Sequence, residues 1–208
     1  MSQLGASFGN FMGRKLSVVA IGGSAGAVEL LARALAGLKA EAPFAVLCTL
    51  HIPAEGKSLL VDVFQAASSC FVSEPEAGEK IKPGRIYLAP PDYHMSLEAD
   101  GSLSLSTEEP HHFSRPSIDF LFDSVAEAMG PQALGILVTG ANDDGARGLK
   151  NLHDRGAATI VEDPRTARFK EMPSSALRLF TPDLELPGDR LKELLSDLST
   201  PAQERSLT

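Results

Sequence analysis

Apolar and polar positions along this chain follow two periods. Val18-Val19-Ala20-Ile21, the stretch 44–50, Ile86–Ala89, Leu134–Val138 and Ala158–Val161 are short apolar runs. Runs of this length with little polar alternation predict strands buried on both faces, as inside a parallel sheet. Between them the period lengthens. Ala27, Leu30, Leu31, Ala34, Leu35 and Leu38 recur at helical spacing; so do Leu59, Leu60, Val63 and Phe64, and again Ile118, Leu121, Phe122 and Val125. Ser117 stands as an N-cap for the third of these, and Gly130-Pro131 ends it. A helix closing on Gly156, a short one from Pro173, and a last one capped by Asp189 complete the helical set. Cys70–Ser73 reads as a short strand, and Met95–Ser106 alternates around Asp100-Gly101, a hairpin signal. The pattern predicts an α/β fold: a doubly wound, mainly parallel sheet with helices on both faces and an antiparallel β-hairpin. The expected organisation is a flexible leader at 1–14, one domain at 15–200 and a flexible tail at 201–208.

Composition narrows the class without naming a function. The 208 residues are 43% hydrophobic and 22% charged, as for one globular domain able to bury a sizeable core. A net charge of −8 argues against nucleic acid or an anionic membrane surface as the main partner. No apolar run approaches the ~20 residues of a membrane span, and Met1–Lys15 lacks the apolar core of a signal peptide. Cys48 and Cys70 have no metal-ligand spacing, and Cys48 lies in a strand as a small buried hydrophobe. The expectation is a cytoplasmic protein that needs no metal and no cofactor.

Candidate chemistry gathers where strands end. Gly22-Gly23-Ser24-Ala25-Gly26 separates the first strand from the first helix and fits the Gly-x-Ser-x-Gly nucleophile pattern. Glycines permit the sharp turn, and backbone amides near Ala25, at the helix start, point at whatever the hydroxyl attacks. The same turn can also cradle a phosphate. His51 follows the second buried strand, and Asp144 follows the strand 134–138. In a doubly wound sheet these carboxyl ends share one edge, so Ser24, His51 and Asp144 can converge there. A serine hydroxyl needs a base to take its proton, neutral imidazole suits that task, and a carboxylate behind the ring fixes the tautomer. Each residue type also has a commoner occupation. A histidine before Ile52-Pro53 serves as a hydrogen-bonded loop residue, and an aspartate of Asp143-Asp144-Gly145 as a turn or helix cap. His111-His112 and His153 read as surface, whereas His94 follows a buried strand and stays a candidate. The order Ser, His, Asp differs from the Ser, Asp or Glu, His order of α/β-hydrolases. A dinucleotide site fits less well, for want of G-x-G-x-x-G spacing and of an acidic residue after the second strand.

Six blocks, in order, resemble the catalytic domain of the chemotaxis protein-glutamate methylesterases, the CheB type. They are Ile21–Gly26, Leu50–Pro53, Lys82–Pro90, Ser114–Asp119, Thr139–Ala146, and Glu162–Pro164 with Met172-Pro173. The resemblance covers about residues 15–200. It implies hydrolysis of methyl esters on glutamates of methyl-accepting chemotaxis receptors, and allows glutamine deamidation. It makes Ser24 the nucleophile, His51 the base and Asp144 the third member, because the family's aspartate directly precedes Gly-Ala. It also sets a histidine near the site where His94 stands, so that His94 joins Ala25 as an oxyanion or substrate-pocket candidate. Many members read Gly-Met-Gly-x-Asp-Gly where this chain has Gly140-Ala141-Asn142-Asp143-Asp144-Gly145, a difference that bears on substrate fit. The best-known members carry an N-terminal receiver domain, and 14 leader residues are too few to encode one, so phosphorylation control in cis is expected to be absent. Arg165, Arg168 and Lys170 offer a docking patch for acidic receptor segments, or an ordinary solvated basic face. The alternative from another class is a weak or inactive domain that keeps the fold and binds a signalling partner.

Overall fold

The computed structural model describes residues 14–51, 59–109 and 114–200. Residues 1–13 of the expected leader, the expected tail, Ile52-Pro53 and His111-His112 lie outside them. Among the described residues, seven strands form one parallel sheet. They are β1 (Val18–Gly23), β2 (Ala45–Leu50), β3 (Phe71–Ser73), β4 (Arg85–Leu88), β7 (Ala133–Leu137), β8 (Ala158–Glu162) and β9 (Leu184–Leu186). A separate antiparallel pair, β5 (His94–Leu97) and β6 (Leu103–Ser106), turns at Asp100-Gly101. The helices are α1 (Ala27–Leu35), α2 (Leu60–Ala67), α3 (Ile118–Met129), α4 (Ala146–Asp154), α5 (Glu171–Leu179) and α6 (Leu191–Ser199).

Burial accounts for the unbroken apolar runs. In β1, Val19 and Ile21 join a core with α1, α2 and α6. Val18 and Ala20 join the other, with α3, α4, α5 and the hairpin. A strand covered on both sides has no position left for a solvated residue. Fully burying each Val, Leu or Ile side chain contributes roughly 1.5–3 kcal/mol. Cys48 is one of these buried hydrophobes, and desolvation pushes its thiol up to about 12, far from a reactive thiolate.

In the order β3-β4-β2-β1-β7-β8-β9, β2 lies beside β1, β3 lies at the edge and β4 fits between them; the chain then returns to β7 on the other side of β1. The order therefore reverses between β1 and β7, the switch point where α/β sheets bind ligands. Two expectations are corrected here. The last helix starts at Leu191 with Arg190 at its cap position, because Asp189 belongs to a preceding 3-10 turn, Gly188–Arg190. The short helix starts at Glu171, two residues before Pro173. Edge strand β9 was not foreseen: three residues, with only Leu186 fully buried, carry too little periodicity.

Candidate active site

Ser24 sits just past β1, on a turn defined by backbone. Its N–H donates to the Thr139 carbonyl at 2.9 Å, and its own carbonyl accepts from Ala27 N at 2.9 Å. Gly26, at the helix start, has φ +80°, a conformation that costs a residue with a Cβ. Gly22 and Gly23 are small for packing reasons. A Cβ on Gly22 would lie 2.1 Å from Ile118 Cγ2, and one on Gly23 would lie 2.7 Å from both Ala27 Cβ and Val138 Cγ2. Thr139 ties the turn to the next loop: its hydroxyl accepts from Phe169 N at 2.8 Å and reaches the Ala25 carbonyl at 3.0 Å. Thr139 N in turn donates to the buried Glu162 carboxylate at 2.7 Å. Desolvation raises the pKa of Glu162; the Thr139 amide only partly opposes this, and the charge of Asp163 adds to it.

His51 and Asp144 meet across the end of the strand that carries Ser24. His51 N donates to the Gly23 carbonyl at 3.3 Å, which sets residues 24 and 51 just past the ends of paired strands. The His51 ring is nearly buried, and its Nε2 lies 2.7 Å from Asp144 Oδ2. Asp144 is fully buried. Its Oδ2 also accepts from Ile118 N at 2.7 Å, while Oδ1 accepts from Ser117 Oγ and Asp119 N, each at 3.0 Å. The carboxylate therefore occupies the N-terminus of α3, where unpaired amides and the helix dipole favour negative charge. Burial alone would raise its pKa; the bonds from His51, Asp119 and Ile118 outweigh that and hold it below the usual carboxylate value. An aspartate before α4 thus caps α3, while α4 itself, starting at Ala146, has Gly145 at its cap position and no side-chain cap. Asp143 is exposed.

On the far side of the ring, Asn142 Nδ2 lies 3.4 Å from His51 Nδ1, and Asn142 Oδ1 lies 3.4 Å from Asp144 N. With Nε2–H given to Asp144, Nδ1 keeps the lone pair that can take a proton. Sequence reasoning assigned Asn142 no role, because its contact with His51 spans 91 residues and leaves no local signal. The Ser24 hydroxyl makes no hydrogen bond among the described residues, so the expected serine–imidazole bond is not formed here. Such contacts are often loose without substrate.

The remaining candidates separate. Ala25 lies on the turn beside Ser24, half-buried, with its carbonyl engaged by Thr139. His94 is fully buried, with Nδ1 accepting from Ser117 N at 3.1 Å. In the basic loop, Arg165 is bidentate on Asp163. Arg168 and Phe169 pack on Gly26. Lys170 is exposed ahead of α5. His153 is partly exposed against Phe180 and Asp183.

Similarity to known proteins converges on one family. The family model described as CheB methylesterase matches residues 19–195. A putative protein-glutamate methylesterase/protein-glutamine glutaminase of Leptospira interrogans is 35% identical over 176 residues, covering 85% of this chain and 91% of that one. Protein-glutamate methylesterase/protein-glutamine glutaminase 4 of Geobacter metallireducens is 37% identical over 186 residues, 89% of this chain but 54% of its own. The chain thus spans about half the length of that relative, and likewise of one from Xanthomonas euvesicatoria. The crystal structure of the Thermotoga maritima CheB methylesterase catalytic domain superposes with a TM-score of 0.82 at 30% identity, covering 88% of this chain and 98% of that one. With its seven-stranded parallel sheet and separate hairpin, this chain belongs to the CheB methylesterase family.

Proposed function

We propose that this chain is a serine hydrolase that removes methyl esters from glutamate side chains of chemoreceptors, and that the same site deamidates glutamine. The observation that carries the reading is the His51–Asp144 pair at 2.7 Å, assembled at the end of the strand that bears Ser24. The relatives' names support the substrate class.

Ser24 Oγ attacks the γ-carbonyl carbon, and its proton passes to His51 Nδ1. The imidazolium is stabilised by Asp144 through Nε2–H. The tetrahedral intermediate collapses as Nδ1–H returns its proton to the leaving oxygen, releasing methanol and a glutamyl-Ser24 ester. Water then attacks that ester, gives a proton to Nδ1, and the proton returns to Ser24 Oγ as the glutamate carboxylic acid forms and ionises. With glutamine the leaving group is ammonia. Amides at the start of α1, near Ala25, face the developing oxyanion in this scheme. No step calls for a metal or a cofactor. Among the described residues no helix is long and apolar enough to cross a membrane, which accords with a cytoplasmic enzyme acting on the cytoplasmic part of a receptor.

The test is a serine-reactive fluorophosphonate followed by peptide mapping, paired with methanol release from methylated receptor fragments. Labelling at Ser24 and turnover that vanishes in Ser24→Ala are the expected results. A Ser24→Ala variant with wild-type methanol release overturns the mechanism. An unlabelled Ser24 with no turnover favours a binding module.

A further inference from the structure

The hairpin β5–β6 lies outside the parallel sheet, yet it packs against α3: Met95, Leu97 and Leu103 share a core with Ile118, Leu121 and Phe122. Leu97 N also donates to Ser124 Oγ at 3.0 Å. At its first residue the hairpin meets the start of α3. His94 Nδ1 accepts from Ser117 N at 3.1 Å, so Nδ1 carries the lone pair, and Nε2 carries the proton toward the Glu109 carbonyl at 3.3 Å. The ring stacks on Phe120 at 4.6 Å with planes 24° apart. Ser117 is therefore held at two atoms: by His94 at its amide, and by Asp144 Oδ1 at its hydroxyl. The next two amides, Ile118 N and Asp119 N, are the backbone donors to Asp144.

We propose that His94 is a positioning residue for the Asp144–His51 pair: its Nδ1 lone pair anchors the Ser117 amide, and through Ser117 the helix N-terminus that fixes the carboxylate. Ser117 N precedes the first helical turn and its partner comes from another element, so losing that partner leaves a buried donor unpaired at the capping residue. A small displacement there moves two amides and one hydroxyl together. Misplacement by about 1 Å at a remote support can cost on the order of 100-fold in rate.

The inference rests on the reading that Asp144 orients His51 for catalysis, so its test includes a measurement that needs no turnover. Two variants of the full chain split the lone pair from the ring. His94→Asn keeps an acceptor near Nδ1 and loses the stacking; His94→Phe keeps ring and stacking and loses the acceptor. The readouts are kcat and KM on p-nitrophenyl acetate, the labelling rate of Ser24 by a fluorophosphonate, and the downfield proton resonance of His51 Nε2–H. Expected is a kcat and labelling rate at least about tenfold lower in His94→Phe than in His94→Asn, with KM of both within about twofold. The His51 resonance should broaden in the Phe variant and survive in the Asn variant. Equal losses in the two, or a Phe variant that melts lower with an unchanged His51 resonance, overturn the proposal and leave His94 as packing. If the Phe variant does not fold, the ¹⁵N spectrum of the wild-type ring decides: a protonated Nδ1 overturns the proposal, an unprotonated one coupled to the Ser117 amide supports it. A wild-type chain that hydrolyses nothing and leaves Ser24 unlabelled, while its His51 resonance responds as described, refutes the proposed enzyme and still supports the positioning of the pair.

Discussion

At the end of β1, Ser24 is held by main chain and by missing side chains; at the start of α3, Asp144 is held through its own side-chain oxygens. The first region depends on glycines, on Ser24 N bonded to the Thr139 carbonyl, and on Thr139 as a knot between loops. The second depends on four donors converging on one buried carboxylate. Ile118 joins the two: its side chain fills the space above Gly22, and its amide serves Asp144. The contrast has a physical basis. A nucleophile must approach substrate, so its turn is built with little bulk, whereas an orienting carboxylate must never move and is best buried and saturated with donors. Adding atoms should damage the first region, and removing or neutralising polar atoms the second.

The largest effect is expected from Asp144→Asn. In the serine-protease template the matching change costs about 10⁴ in kcat, because the amide stabilises the wrong tautomer. A similar loss is expected here, with KM little changed, measured as methanol release. A loss under tenfold would mean that Asp144 is mainly a helix cap. Its lowered pKa gives a second check. A depressed carboxylate contributes stability that is complete above its unfolded value and lost as pH falls through the folded one. The Asn variant should therefore lose less stability than wild type between pH 4 and the acid transition.

Next comes Gly22→Ala, which adds one methyl where Ile118 Cγ2 already stands 2.1 Å from the ideal Cβ position. Overpacking of this kind costs about 1–3 kcal/mol, so the melting temperature should fall by several degrees. Since Ile118 must shift, kcat should fall as well. A neutral result would mean that α3 can yield, and that the two regions are not coupled through Ile118.

Sequence periodicity made the sheet, the helices and the glycine turn legible because buried parallel strands leave a long apolar signature. It also placed Ser24, His51 and Asp144 at strand ends, since topology alone brings such ends to one edge. What it could not supply was direction. His94 carries the same strand-end signal as His51, but its ring is fully buried and accepts from Ser117 N at the start of α3. The choice of Asp144 over Asp143 came from resemblance, and burial now separates the two. The hairpin breaks the α/β alternation, and no periodicity links it to the site, yet it braces the helix that holds the carboxylate. Long-range capping of α3 by a residue 26 positions away leaves no local signal.

A smaller effect is expected at Thr139, a side-chain knot in the backbone-held region. Thr139→Val keeps the shape and removes the hydroxyl from Phe169 N and the Ala25 carbonyl. Leaving such groups unpaired costs about 1–3 kcal/mol, and Thr139→Ser should recover most of it in thermal melts. If Val and Ser behave alike, the turn does not use the hydroxyl and is held by its main chain alone.

Glu162→Gln should give the smallest change, and its sign is the informative part. The folded-state pKa of Glu162 is raised, chiefly by burial, so the native state binds its proton more tightly than the unfolded chain does. Stability contributed by this group therefore falls as pH rises from the unfolded value, about 4.3, through the raised folded one, and the cost is complete above it. Glutamine keeps a carbonyl oxygen for Thr139 N and carries no charge. The difference in stability, variant minus wild type, should then grow more favourable from pH 4 to pH 7, as read by denaturant midpoints at each pH. Should the variant instead become relatively less stable toward neutrality, the charged bond to Thr139 N would outweigh desolvation. The nucleophile turn would then hang on a buried charge, as Asp144's neighbourhood does, and the contrast between the two regions would fail at the residue that joins Thr139 to the sheet.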